Sequence, residues 1–180
     1  MTDVDRTHAA HQPDSPAHQL QAAFPEAVEA LHHRLGEATV IVQAKALPEV
    51  ARWLRDNLQF ELCVDVTAVD YWPQEPRFHV VYHVLSISRR QRLRLKVPVA
   101  GKRPKVPTVT DVWPGANFYE REVFDMFGIT FDGHPNLKRI LMPEDWEGHP
   151  LRKDVPLGEE PVQFTHNVEE IQRKKPYAKQ

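Results

Sequence analysis

Residues 91–97 read Gln-Arg-Leu-Arg-Leu-Lys-Val. Leu93, Leu95 and Val97 alternate there with Arg92, Arg94 and Lys96. A period of two sends alternate side chains to opposite faces of a strand, so the apolar set belongs to a core and the cations to an open face. One packed face and one wet face is the habit of antiparallel sheets, because parallel sheets bury both. Upstream, residues 78–87 place Phe78, Val80, Tyr82 and Val84 at one parity. Residues 62–69 form another apolar strand around Cys63.

The flanks supply helices. Pro48 opens a helix to about Asn57, with Val50, Trp53 and Leu54 facing inward. Residues 25–35 start with Pro25, carry Val28, Leu31 and Leu35 on one helical face and stop at Gly36, which predicts a second helix. Between the two lies a short β-branched strand, Thr39 to Val42. The expected class is α+β: helices packed on a small mixed, largely antiparallel sheet of about four strands, with an extended C-terminal arm. Residues 1–18 are polar, rich in histidine and aperiodic, and are expected to be a disordered tail. Residues 19–130 are expected to form the α+β domain, and 131–180 an arm that wraps a partner.

Composition narrows the function. The formal net charge is −2, which gives no global attraction to nucleic acid or an anionic membrane surface. Cys63 is the only cysteine, so no internal disulfide forms and no iron–sulfur cluster is held by this chain alone. No apolar run approaches the ~20 residues that span a bilayer. From Ile87 to Thr110 there is no acid, while Arg89, Arg90, Arg92, Arg94, Lys96, Lys102, Arg103 and Lys105 are basic. That strip is either a solvated face or a docking surface for an acidic partner, with Arg92, Arg94 and Lys96 as its candidate contacts. Interleaved aromatics, which nucleic-acid binding would want, are missing from it.

Residues 117–157 stand apart. Asn117 and Glu120 are spaced like an N-cap and its reciprocal partner, Tyr119, Val123 and Met126 form a helical stripe, and Gly128 suits a left-handed C-cap. Glu120, Glu122 and Asp125 lie largely off that stripe, which suggests capping and ion pairing within the chain or across an interface. Beyond it, Phe131, Leu137, Ile140, Leu141, Trp146 and Leu151 sit on a backbone broken by Pro135, Pro143, Pro150 and Pro156. Such side chains bury little against their own segment and want another surface. Gly-His-Pro occurs twice, at 133–135 and 148–150. Glycine permits an unusual φ and proline holds the preceding histidine extended, so each triplet sets a bend. His134 and His149 therefore read as shape and hydrogen-bonding residues.

The run Glu120-Arg121-Glu122, Asp125-Met126-Phe127-Gly128, His134-Pro135, Leu137, Arg139-Ile140-Leu141, Pro143 and Gly148-His149-Pro150-Leu151-Arg152-Lys153-Asp154 resembles the signature of the C subunit of proton-pumping NADH:quinone oxidoreductase, respiratory complex I. The resemblance covers residues 117–157 without a gap, with a further match at Pro107–Trp113. It implies a non-catalytic structural or assembly component of the hydrophilic arm, beside the D, B and I subunits. The assembly passes electrons from NADH through FMN and iron–sulfur clusters, all carried by partner subunits, to quinone, and moves protons. The implied location is the cytoplasmic side of a bacterial cell membrane, held peripherally through partners. The same resemblance implies that the signature residues serve the interface with neighbouring subunits, with no catalytic, cofactor or metal role. A homologous component of a related membrane-bound hydrogenase or quinone reductase is the alternative. From a different class, a free-standing metal-dependent hydrolase is weighed on Glu120, Glu122, Asp125, Asp132, His134 and His149. No pair of these has a familiar ligand spacing. A nucleic-acid-binding module is the third alternative.

Overall fold

A computed structural model of the chain describes residues 15–155, 166 and 168–170. Helix α1 (Pro16–Ala23) starts within the stretch expected to be a tail, with Ser15 as its N-cap; residues 1–14 lie outside the described residues. Strands β1 (Val28–Arg34) and β2 (Glu37–Val42) follow. Helix α2 (Leu47–Leu58) leads to β3 (Leu62–Asp70), β4 (Phe78–Ser86) and β5 (Gln91–Val99). The short β6 (Lys105–Pro107), helix α3 (Ala116–Phe127) and β7 (Thr130–Asp132) complete the order.

The main sheet has the order β1-β2-β5-β4-β3. Only the β2–β5 pair is parallel; the other three are antiparallel. The sheet is thus mixed and mostly antiparallel, with five strands. β6 and β7 make a separate parallel pair.

Residues 25–35 do not form the expected helix. They contribute β1, which turns into β2 through Leu35 (φ 54°) and Gly36 (φ 78°). Two consecutive residues with positive φ match the twist of a hairpin, and the pairing with β2 overrides a helix-like apolar spacing.

The core lies between one sheet face and the helices. Val40, Leu95, Tyr82 and Val66 are cross-strand neighbours on that face and are all buried. Val50, Ala51, Leu54 and Leu58 of α2, and Ala116, Val123, Met126 and Phe127 of α3, pack into the same cluster. Trp113 locks α3's entry by donating its indole N–H to the carbonyl of Phe60, at 2.9 Å. The period-two reading of β5 holds: Leu93, Leu95 and Val97 are buried, while Arg92, Arg94 and Lys96 share the opposite face. Among the described residues no helix is long and apolar enough to cross a membrane.

Candidate functional site

Helix α3 ends at Gly128, left-handed at φ 70°. The last carbonyls of a helix have no partner within it. Here segment 138–155, part of the arm expected over 131–180, returns across that end and satisfies them. His149 Nδ1 lies 2.9 Å from the Asp125 carbonyl, and the Leu151 amide donates to the Met126 carbonyl at 3.1 Å. Arg152 donates from Nε to the Phe127 carbonyl at 2.5 Å and from Nη2 to that of Gly128 at 3.4 Å. A cation at a helix C-terminus also meets the negative end of its dipole. Gly128 leaves no room for a side chain: a Cβ there would lie 2.4 Å from the His149 ring and 2.6 Å from Arg152 Nη2.

Asp125 carries the second half of this clasp. Its side chain is fully buried. Oδ2 accepts the successive amides of Ile140, Leu141 and Met142 at 2.8–3.0 Å, and Oδ1 accepts Arg139 Nη1 at 2.9 Å. Burial alone would push this carboxyl up; the three amides and the Arg139 charge outweigh it and hold it below the usual range. Arg139 also donates to the Gly148 carbonyl, and Arg121 to the carbonyls of Lys138 and Arg139.

A third knot joins the arm to β3 and β4. Arg77 makes forked contacts to Asp70 (3.0 and 2.8 Å) and to Asp154 (2.9 and 2.7 Å). The Lys153 amide donates to Asp70 Oδ2, and the guanidinium stacks over Trp72 and Phe78. Asp70 is buried, which raises its pKa, but the Arg77 bonds and the two amides on it win and draw it down to about 2. The sequence reading missed Arg77 and Asp70. A signal was present: Asp70 continues the inward parity of Val66 and Ala68, a charge at a core position.

Glu120 corrects the expected cap. Gly115, not Asn117, precedes α3, and no side chain caps it. Glu120 is instead fully buried, accepting the Val109 amide at 2.8 Å and lying 2.5 Å from the Thr108 hydroxyl. Burial pushes its carboxyl up to about 7, the two bonds offsetting part of the effect. His134 Nε2 lies 4.0 Å away, but this contact is no ion pair. Asn136 donates to His134 Nδ1, so Nε2 carries the proton and donates to the Asn117 carbonyl, and burial lowers the imidazole's pKa. A folded-state pKa raised above 4.5 contributes stability that is full below 4.5 and lost as pH rises through about 7. The loss is about 3 kcal/mol. Glu120→Gln keeps the Val109 bond through Oε1, and its NH2 group can donate to the Thr108 hydroxyl, reversing the second bond. It should equal the parent near pH 4.5 and exceed it at pH 8, as urea unfolding at the two pH values would read; identical stability at pH 8 would contradict this.

The remaining signature residues divide by exposure. Phe127 is buried, and Leu137 packs against the core. Glu122, Pro135 and Lys153 are exposed; Pro143 and Pro150 are half-buried. Phe131, expected on a foreign surface, is in the chain's own core, with β7 paired to β6. Facing outward are Ile140 (39% exposed), Leu141 (61%), Leu151 (53%) and Val155 (39%). Of the six acids and histidines weighed for metal chemistry, Glu120 neighbours His134 and the Asp125 carbonyl meets His149, but among the described residues no three His, Cys, Asp or Glu side chains are placed to hold a metal ion.

Comparison with known proteins gives a consistent picture. Residues 40–161 match the family model described as "Respiratory-chain NADH dehydrogenase, 30 Kd subunit". The C subunit of NADH-quinone oxidoreductase from Roseiflexus castenholzii is 54% identical over 164 residues, 90% of this chain and 94% of that one. Its counterpart in Herpetosiphon aurantiacus is 49% identical over 147 residues, 81% and 86% of the two chains. Among solved structures, the trypsin-resistant fragment (1–134) of Nqo5 is similar at TM-score 0.59 and 33% identity, over 66% of this chain and 96% of that one. A chain of the membrane-bound sulfane sulfur reductase, an archaeal respiratory membrane complex, is similar at TM-score 0.67 and 27% identity, over 87% and 86%.

Proposed function

Because this chain belongs to the family of the respiratory-chain NADH dehydrogenase 30 Kd subunit, we propose that it is the non-catalytic scaffold subunit of an NADH:quinone oxidoreductase. The D, B and I subunits are its proposed neighbours in the hydrophilic arm, on the cytoplasmic side of a bacterial membrane. FMN and iron–sulfur clusters reside in partner subunits. The chain contributes rigidity: electron tunnelling falls steeply with distance, so a stiff support beside the clusters preserves rate without chemistry of its own. The likeness to a sulfane sulfur reductase chain favours a second reading, the homologous component of a respiratory complex with another electron donor.

One observation carries the proposal. The clasp spends the arm's polar groups on the chain itself and leaves Ile140, Leu141, Leu151 and Val155 facing out. An arm held by its backbone amides and arginines is a preformed shape, so docking it costs little ordering entropy. Burying an exposed leucine fully is worth roughly 1.5–3 kcal/mol, more than the ~0–1 kcal/mol of an exposed ion pair. Leu141→Asp with Leu151→Asp should therefore leave the isolated chain's melting temperature nearly unchanged. Recovery of the other subunits on a tagged chain in solubilised membranes should fall about tenfold or more. Recovery at the parent's level would overturn the proposal.

A further inference from the structure

The helices cover one face of the main sheet. On its other face the register aligns cross-strand rows: Arg92–Leu85–Leu62, then Thr39–Arg94–His83–Asp65, then Ile41–Lys96–Val81–Thr67. The rows are graded. The β5 side carries Arg92, Arg94 and Lys96, and the β4–β5 turn adds Arg89 and Arg90. The β3 edge carries Leu62 and Val64, 44% and 48% exposed, with Ile87 beside the turn at 61%. Between them lies a hollow of about 280 Å³, walled by Glu37, Val64, Asp65, His83, Arg92 and Arg94. Arg94 is committed to Glu37 and Thr39. The Arg92 and Lys96 side chains make no hydrogen bond or ion pair among the described residues.

From this grading we infer that this sheet face, over which no described helix lies, is a second docking surface, for an acidic amphipathic helix of another protein subunit. Its carboxylates lie over Arg92 and Lys96, and its apolar side over Leu62 and Val64. The width fits: four strands, β2 to β3, span about 14 Å, against a helix diameter of about 10 Å. The charge fits as well, since twenty-four successive residues, Ile87 to Thr110, contain no acid. Of the two acids at the hollow, Glu37 is paired with Arg94, which leaves Arg92 and Lys96 facing Asp65 alone. This inference rests on the reading of the chain as one subunit of a larger complex. It adds a surface separate from the arm and names the chemistry of what binds there.

The test is Arg92→Glu with Lys96→Glu in the full chain, expressed with the rest of the complex. The isolated variant should melt as the parent does, because neither side chain reaches the core. Recovery of partner subunits should fall about tenfold, and raising the salt should lower the parent's recovery toward the variant's. Arg92→Gln with Lys96→Gln should show a smaller loss of the same sign, which covers the case in which charge reversal disturbs folding. Unchanged recovery and salt response in both variants would overturn the inference. So would binding of the full chain to anionic phospholipid vesicles that the substitutions abolish while recovery of the partners stays normal. Loss of assembly in the Leu141/Leu151 variant beside normal assembly here removes this second surface and leaves the proposed function standing. Normal assembly in both removes both.

Discussion

Asp125→Ala should destabilise the isolated chain by about 3–5 kcal/mol, the cost of stripping one partner from a buried charged cluster. In a domain of this size that lowers the melting temperature by roughly 10 °C. The effect is large because the carboxylate is shared. Three amides and Arg139 lose their acceptor together, and the amides cannot find another without moving the arm. Asp125→Asn should cost less. Its carbonyl oxygen can take the Oδ2 position and accept the three amides, while its NH2 group faces Arg139 donor to donor. Thermal and urea unfolding of both variants decide this; an alanine variant within about 0.5 kcal/mol of the parent, the range of ordinary surface substitutions, would mean the arm is not held this way.

Arg77→Met should be comparably severe, about 3–5 kcal/mol at neutral pH. It leaves Asp70, whose side chain is 1% exposed, with two amides and no countercharge. It also frees Asp154 and with it the end of the arm. The pH dependence is diagnostic. Asp70 titrates near 2 in the folded chain, below the ordinary carboxylate range, so the unfolded chain binds the extra proton first. The stability Arg77 supports is fully present above the unfolded value of about 4 and is lost as pH falls through about 2. The gap between parent and variant should therefore be widest near neutrality and shrink on acidification. A gap that stays constant from pH 7 to pH 3 would mean that methionine costs packing alone.

Most of the sheet could be read from the chain because alternation is local. β3, β4, β5 and α2 each show their own period, and Pro48 and Gly128 mark ends for reasons of backbone geometry. β1 could not. It is an edge strand whose only core-facing apolar residues are Val28 and Leu31, and with Leu35 their spacing imitates a helix. The turn that settles it places a leucine, 88% exposed, at positive φ, a cost that only the completed hairpin repays. The bends at Gly133 and Gly148, both at positive φ, were legible, since proline and glycine act on their own neighbours. The arm's partners were not. A carboxylate that binds backbone amides 15 to 17 residues away leaves no period, because every residue carries the same amide. Glu120 and Asp125 lie off the apolar stripe by helical spacing, which suggested capping and ion pairing, yet both are fully buried, since the arm and the segment before α3 cover the sides that the apolar stripe does not.

Amide hydrogen exchange on the isolated full-length chain separates a self-made clasp from one formed by partners. The amides of Ile140, Leu141, Met142 and Leu151 should exchange slowly before any other subunit is added, because Asp125 and the Met126 carbonyl hold them within the chain. Asp125→Ala should release the first three. Rapid exchange at all four in the free chain, with protection appearing only in the assembled complex, would contradict the account.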